Sequence, residues 1–275
     1  MIEVFVNGLK ITGFTDLQIS RSLDEFCGQF SMNLTAQRDN LYPVRVNEII
    51  EIKNNGHKMM VAYAEKVSIS YSAGSHMVQI SGRDVTCDII DTSIDGAAEF
   101  NAPASLKNII SSLLADYNMS AIQVQADNGI RDYGAGDRVS GEIGAPLFDV
   151  VESYCRLRQV LPVTTPDGKV RLLRTDSPGK ASTALVHSRQ QGGNIISASI
   201  DIDNTQRFKT YRAHGQGNVA ELNEAGAQTA EDITNRVYNA ADEKIRNTRV
   251  LNFIAERSAA TSDLEARAKW EANIR

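Results

Sequence analysis

The chain has 275 residues, 42% of them hydrophobic and 23% charged, with a net charge of −5. That is enough for one to three domains of roughly 100–150 residues with ordinary apolar cores, and the acidic balance argues against DNA or RNA as the principal ligand. The three cysteines, Cys27, Cys87 and Cys155, match no zinc spacing and read as buried free thiols of a chain folded in a reducing cytoplasm.

The N-terminus "MIEVFVNGLKITGF" lacks the basic and apolar regions of a signal peptide. No apolar run approaches the ~20 residues that span a bilayer, so stable membrane insertion is not expected. The first ninety residues read as an antiparallel meander. Ile2, Val4 and Val6 alternate up to Asn7-Gly8, a type I′ hairpin turn, and Leu9 and Ile11 follow. Leu17 and Ile19 begin another strand, and Phe30, Met32 and Leu34 alternate in the next. Ile50 and Ile52 lead to a second Asn-Gly at Asn55-Gly56. Met60, Ala62 and Ala64, then Val67, Ile69 and Tyr71, change register near Glu65–Val67, which predicts a bulge or bend. Val78 and Ile80 close a series that suits a closed barrel or a sandwich, because closure removes free edges.

Leu106, Ile109, Ile110, Leu113 and Leu114 then have helical spacing, with Pro103 near the helix start and Asn118 as its stop. "AIQVQA" predicts a short strand and "DNGIRDYGAGDRVSGEIGA" a loop. Leu147, Val150, Val151, Tyr154 and Leu157 mark a second helix, followed by a hairpin turning at Pro166-Asp167-Gly168. After the linker "TDSPGKAST", strands are expected at Ile196, Ala198 and Ile200, at Phe208, Thr210 and Arg212, and in "TRVLNFIAE". "NVAELNEAGAQTAED" reads as a loop, and Ser262 with Glu265 as a capping box opening a last helix. Arg267, Lys269 and Arg275 against Glu265 and Glu271 read as a solvated helix face. The chain stops inside that helix with no C-terminal signal, which suggests a shortened chain.

The sequence offers no pattern for a catalytic residue, cofactor site or metal site. "GAG" at 134–136 and "GQG" at 215–217 lack the third glycine of a dinucleotide loop, and no phosphate-loop, zinc-protease or nucleophile-elbow motif occurs. His57, His76, His187 and His214 have no ligand spacing. Asp84, Asp88, Asp91 and Asp95 are read as solvated or capping side chains, with a hidden glycosidase pair as the rival reading. "GRD" at 82–84 admits a catalytic pair, an ion pair at a subunit interface, or a structural corner. In the corner, Asp84 accepts backbone N–H groups and Arg83 packs on it.

"FT" at 14–15, "SRS" at 20–22, Glu25, Gly28 and Phe30, then "GRD", Thr86 and "DIID" at 88–91, resemble the segments of the baseplate (tail) hub family of Mu-like contractile-tailed phages. Both helices, the hairpin and "ARAKWEANIR" follow in the family's order, with Gln159 where a glycine is frequent. The resemblance implies an α+β, mainly β fold: two tube-like antiparallel β-barrel domains flanking a small α+β module. The corresponding divisions are 1–95, 96–178 and 179–275, the last shortened in its late helix. It implies a structural, non-enzymatic hub, a homotrimer forming a pseudo-sixfold ring between tail tube and membrane-piercing spike. Genome DNA would pass its lumen without specific binding. Such a protein is made in the bacterial cytoplasm and resides in the virion tail baseplate. Arg21, Gly82, Arg83 and Asp84 are its expected corner or subunit-interface residues. The alternatives are a cell-wall-binding or wall-degrading tail protein, or the related hub of a type VI secretion spike.

Overall fold

The structure is a computed structural model that describes residues 1–35, 44–72, 75–96, 103–134, 141–174, 184–187, 193–195, 197–215, 236–255 and 261–274. Two units divide it, Met1–Leu173 and Arg174–Arg275, and the described residues are mainly β. The linker at 175–183, the loop at 218–232, most of "GAG" and "GQG", Ile196, and the side chains of Tyr71, His76 and Ser262 lie outside the described residues.

The first unit begins with strands β1 (Ile2–Val6), β2 (Leu9–Ile11), β3 (Phe14–Ser20), β4 (Gln29–Thr35), β5 (Ile49–Asn54), β6 (His57–Tyr63), β7 (Lys66–Ser72) and β8 (Ser75–Arg83). They form two four-stranded sheets, β2-β1-β5-β6 and β3-β4-β8-β7. Both Asn-Gly turns have the positive φ pair of a type I′ turn: 47° and 82° at Asn7-Gly8, 50° and 80° at Asn55-Gly56. The inner faces share one core, with Val4, Val6, Ile50, Ile52, Met60 and Ala62 meeting Phe30, Met32, Leu34, Val78 and Ile80. Each such large apolar side chain contributes about 1.5–3 kcal/mol through burial. The register change near Glu65 is a change of sheet. The Ala64 amide donates to Glu48 O in the first sheet at 2.9 Å, and the next amide, of Glu65, donates to Ser81 O in the second at 3.0 Å.

A short 3-10 turn, Val85–Cys87, and helix α1 (Asp88–Asp91) lead into a second core built on α2 (Leu106–Asp116) and α3 (Leu147–Leu157). Ser105 caps α2 by accepting from the Asn108 amide at 3.2 Å; Pro103 lies just before. Asn118, at φ 62°, ends that helix in the left-handed conformation. Strands β9 (Val124–Ala126), β10 (Val160–Thr164) and β11 (Val170–Arg174) order as β10-β11-β9, with β9 and β11 parallel. Ile89 and Ile94 from the α1 region join the core of both helices. The predicted polar loop after β9 is anchored at Tyr133. Its hydroxyl donates to Tyr154 O, and Arg158 stacks on its ring at 3.9 Å.

The second unit holds β12 (Thr210–His214), β13 (Val237–Ala241), β14 (Val250–Ile254) and α4 (Thr261–Ile274). The sheet order is β13-β12-β14, with β12 and β14 parallel. Three expectations change here. Residues 197–203 form no strand and leave Ile200 and Ile202 more than four-fifths exposed, because no described strand pairs with them. In β12 the buried face is Tyr211 and Ala213, packed against Leu264 and Ala268 of α4, rather than Thr210 and Arg212. Arg267 and Glu271 are buried, not solvated. Their ion pair spans 2.6 Å, and the guanidinium lies over the rings of Phe253 and Trp270.

Candidate functional site: a latch around Asp84

Two segments singled out in the sequence meet in the first unit. The connection from β3 to β4 carries Arg21, Phe26, Cys27 and Gly28, and the end of β8 carries Gly82, Arg83 and Asp84. Asp84 is 1% exposed. Its Oδ2 accepts from the Gly28 amide at 2.8 Å and from Thr164 Oγ1 at 3.0 Å. Its Oδ1 accepts from the Thr86 amide at 3.1 Å and from the Thr86 hydroxyl. The Asp84 amide returns a bond to Gly28 O at 2.9 Å. A carboxylate is suited to this position because it accepts only, and every group facing it donates.

Thr164, at the end of β10, extends the network. Arg21 Nη2 donates to both its carbonyl oxygen and its hydroxyl oxygen at 2.7 Å. Arg21 and Asp84 are thus joined through the Thr164 hydroxyl rather than directly. Phe26 packs on Phe148 of α3, with ring centroids 4.5 Å apart. Together these contacts tie the sheet pair to the helical core. Thr164 carried no signal in the sequence beyond its place at a strand end, since a threonine in a strand is ordinary.

Gly82 serves the same corner by its size. A Cβ there would stand 1.9 Å from the Tyr63 carbonyl oxygen, where the chain changes sheets. Arg83 does not pack on Asp84. Its guanidinium meets Glu65 at 2.5–3.1 Å and Asp91 at 2.5–3.1 Å, two-toothed on each. Both carboxylates raise the Arg83 pKa, Glu65 most, so it stays charged at any working pH.

Glu65, Cys87 and Asp91 place one ligand atom each within 4.8 Å of one another. The Arg83 cation already balances both carboxylates. Burial pushes the Cys87 thiol up to about 12, so it is not the thiolate a metal would need. Burial likewise pushes Cys27 up to about 12 and raises Cys155 further. Of the other acids, Asp95 accepts from the Tyr117 hydroxyl at 2.9 Å, and Asp88 adds to burial in raising the Tyr63 pKa. His57 opens β6 in solvent, His187 is exposed, and His214 ends β12 with Nε2 3.4 Å from Asn252 Oδ1.

The Asp84 latch joins a β-sheet pair to a helical module, and comparison with known proteins shows what the chain resembles. Residues 1–84 match the N-terminal domain of the Mu phage baseplate assembly protein GpP-like family. The chain is similar to the baseplate hub protein gp44 of Escherichia phage Mu, 22% identical over 273 residues, which cover 98% of this chain and 69% of that protein. Among solved structures it resembles the 43 kDa tail protein of prophage MuSo2 from Shewanella oneidensis, with TM-score 0.76 and 22% identity over 98% of this chain and 77% of that one. It also resembles the tail protein from Neisseria meningitidis MC58, with TM-score 0.74 and 18% identity over 98% and 74%. The family resemblance read from the sequence is therefore borne out, and the fold is a mainly β tail-protein fold.

Proposed function

We propose that this chain is the central hub of a contractile-tail baseplate, a structural ring rather than an enzyme. Three copies close around a hollow axis. The two β-rich regions of each copy, 1–95 and 179–275, present a pseudo-sixfold face to the tail tube, while the threefold assembly seats the spike. The observation that carries this reading is similarity to a baseplate hub protein along 98% of this chain and 69% of that protein. The latch supports a structural role. All four hydrogen bonds to Asp84 come from protein donors, which leaves this carboxylate committed to structure rather than proton transfer. The buried thiols are protonated and poor nucleophiles.

The test is light scattering over a concentration series, because assembly depends on concentration, combined with incubation on peptidoglycan. A hub gives three times the chain mass at high concentration and neither binds nor clears the wall. A monomer at every concentration, or clearing of the wall, contradicts the proposal.

A further inference from the structure

In the second unit β14 is the last strand of its sheet among the described residues, so one long side of it is an open edge. The Ala255 amide donates to His214 O at 2.8 Å, and the Lys209 amide donates to Arg249 O at 2.9 Å. Backbone groups alternate sides along a strand. The odd-numbered residues of β14 therefore serve β12, and the N–H and C=O of Val250, Asn252 and Ile254 point outward from the edge. The side chains of Leu251 and Phe253 lie on the α4 side and are half-buried. The chain that precedes β12 stands at the head of this edge. Arg249, next to Val250, donates from Nη1 to Asn204 O at 2.6 Å and from Nη2 to Thr205 O. Asp203 fixes the turn by accepting from the Thr205 amide at 2.7 Å and from the Thr205 hydroxyl at 2.9 Å. Upstream of this anchor, Ala198, Ile200 and Ile202 alternate with Ser197, Ser199, Asp201 and Asp203, and every one of them is exposed.

We infer that residues 197–203 are a strap that docks on the edge of β14 as an antiparallel strand and closes that edge against pairing with another chain. The direction follows from the topology. Strands β12 and β14 are parallel, and a chain that turns at 204–207 before entering β12 runs the opposite way beside β14. The anchor sets the register, with Asn204 beside Arg249, hence Asp203 beside Val250, Ile202 beside Leu251 and Ile200 beside Phe253. Ser199, Asp201 and Asp203 then face the three residues whose backbone groups point outward, and they take the hydrogen-bonded places. Both isoleucines take the closer, non-hydrogen-bonded places on the α4 side, against the two half-buried apolar side chains. A slip of one residue would turn the isoleucines to the other face and set Asp201 and Asp203 against Phe253 and Leu251. The occupant is this chain's own segment because its anchor already stands at the edge, which makes docking intramolecular. Left open, an edge flanked by the exposed Val250 and Ile254 is a template for pairing with a second copy.

The test uses the full chain with pairs of introduced cysteines and diamide as the oxidant. The native thiols are at most 5% exposed and stay out of the reaction. Ser199→Cys with Ile254→Cys joins two solvent-facing positions that docking brings within disulfide reach. This pair should close within one chain at least about tenfold faster than Ser199→Cys with Val237→Cys, whose second member stands on the far edge strand β13. Equal rates, or no closure, overturn the strap. Cross-linked dimers in place of closed monomers overturn the chain's own segment as the occupant. The register is read by Ile202→Cys with Leu251→Cys, which should close faster than Ile200→Cys with Leu251→Cys; the reverse order overturns the register. Hydrogen exchange of the peptide 249–255 supplies a readout without cysteines. Ile200→Asp with Ile202→Asp should speed it at least about tenfold by freeing the edge, and exchange unchanged from the parent overturns the docking.

Discussion

Replacing Asp84 by alanine removes the acceptor at the centre of the latch, and the structure sets the size of the loss. The Gly28 and Thr86 amides lose their partner at 2.8 and 3.1 Å inside a site where Asp84 is 1% exposed. The two threonine hydroxyls can rotate towards other acceptors, whereas the amides are fixed by the chain. An orphaned buried donor costs about 1–3 kcal/mol. Two of them, with some relief from the hydroxyls and from entering water, give about 3–5 kcal/mol. For a unit of this size 1 kcal/mol shifts the midpoint by roughly 2–4 °C, so Asp84→Ala should melt roughly 6–20 °C below the parent. Asp84→Asn should also destabilise, since its amide NH2 would face donors. Arg83→Ala should cost about 1 kcal/mol or less, because its ion pairs with Glu65 and Asp91 are part-exposed and solvent-screened. Thermal and urea melts of the three variants supply the ranking. Asp84→Ala melting within about 2 °C of the parent, or Arg83→Ala costing more than Asp84→Ala, would refute the reasoning.

Gly82→Ala drives a methyl into the Tyr63 carbonyl and should lower the urea midpoint by an amount equivalent to about 3 kcal/mol or more. Gln159 holds φ 54°, and its Nε2 donates to Arg156 O and Leu157 O at the end of α3. Gln159→Gly and Gln159→Ala both lose those bonds, and only glycine is at ease at that φ, so the glycine variant should be the more stable by about 1 kcal/mol in paired denaturant titrations. Arg267→Ala strands Glu271 in the second unit and should cost about 3–5 kcal/mol; a melt unchanged from the parent would contradict the buried pair. Cys27 and Cys87 keep their protons up to about pH 12 when folded, whereas an exposed thiol titrates near 8.5. Between these values the unfolded chain binds fewer protons, so the stability from these groups is full below about pH 8.5 and falls as pH rises towards 12. Urea midpoints across that range should decline, and a thiol reagent at pH 8 should react quickly only after unfolding.

Much of the first unit was legible because its signals are local. The Asn-Gly pairs need positive φ twice in succession, and alternation at Phe30, Met32 and Leu34 leaves one face to bury. The break near Glu65 was visible as a register change, yet its meaning, a passage between sheets, depends on two amides donating in opposite directions. The corner at 82–84 was half legible. Asp84 as a collector of backbone donors follows from its chemistry, while the partners of Arg83 lie at separations of 18 and 8 residues that no pattern reveals. Thr164 enters from 80 residues away. In the second unit, the alternation of Ile196, Ala198 and Ile200 misled because periodicity describes a face and not the sheet that must cover it. Arg267 and Glu271 misled because charged residues on a terminal helix are usually solvated, and here aromatic rings shield them.

The central claim is that copies of this chain form a hollow ring. Two-dimensional class averages of the particles at a concentration where light scattering reports the trimer test it most directly. The account predicts threefold annular views with an open centre. Compact particles with no axial opening would contradict it.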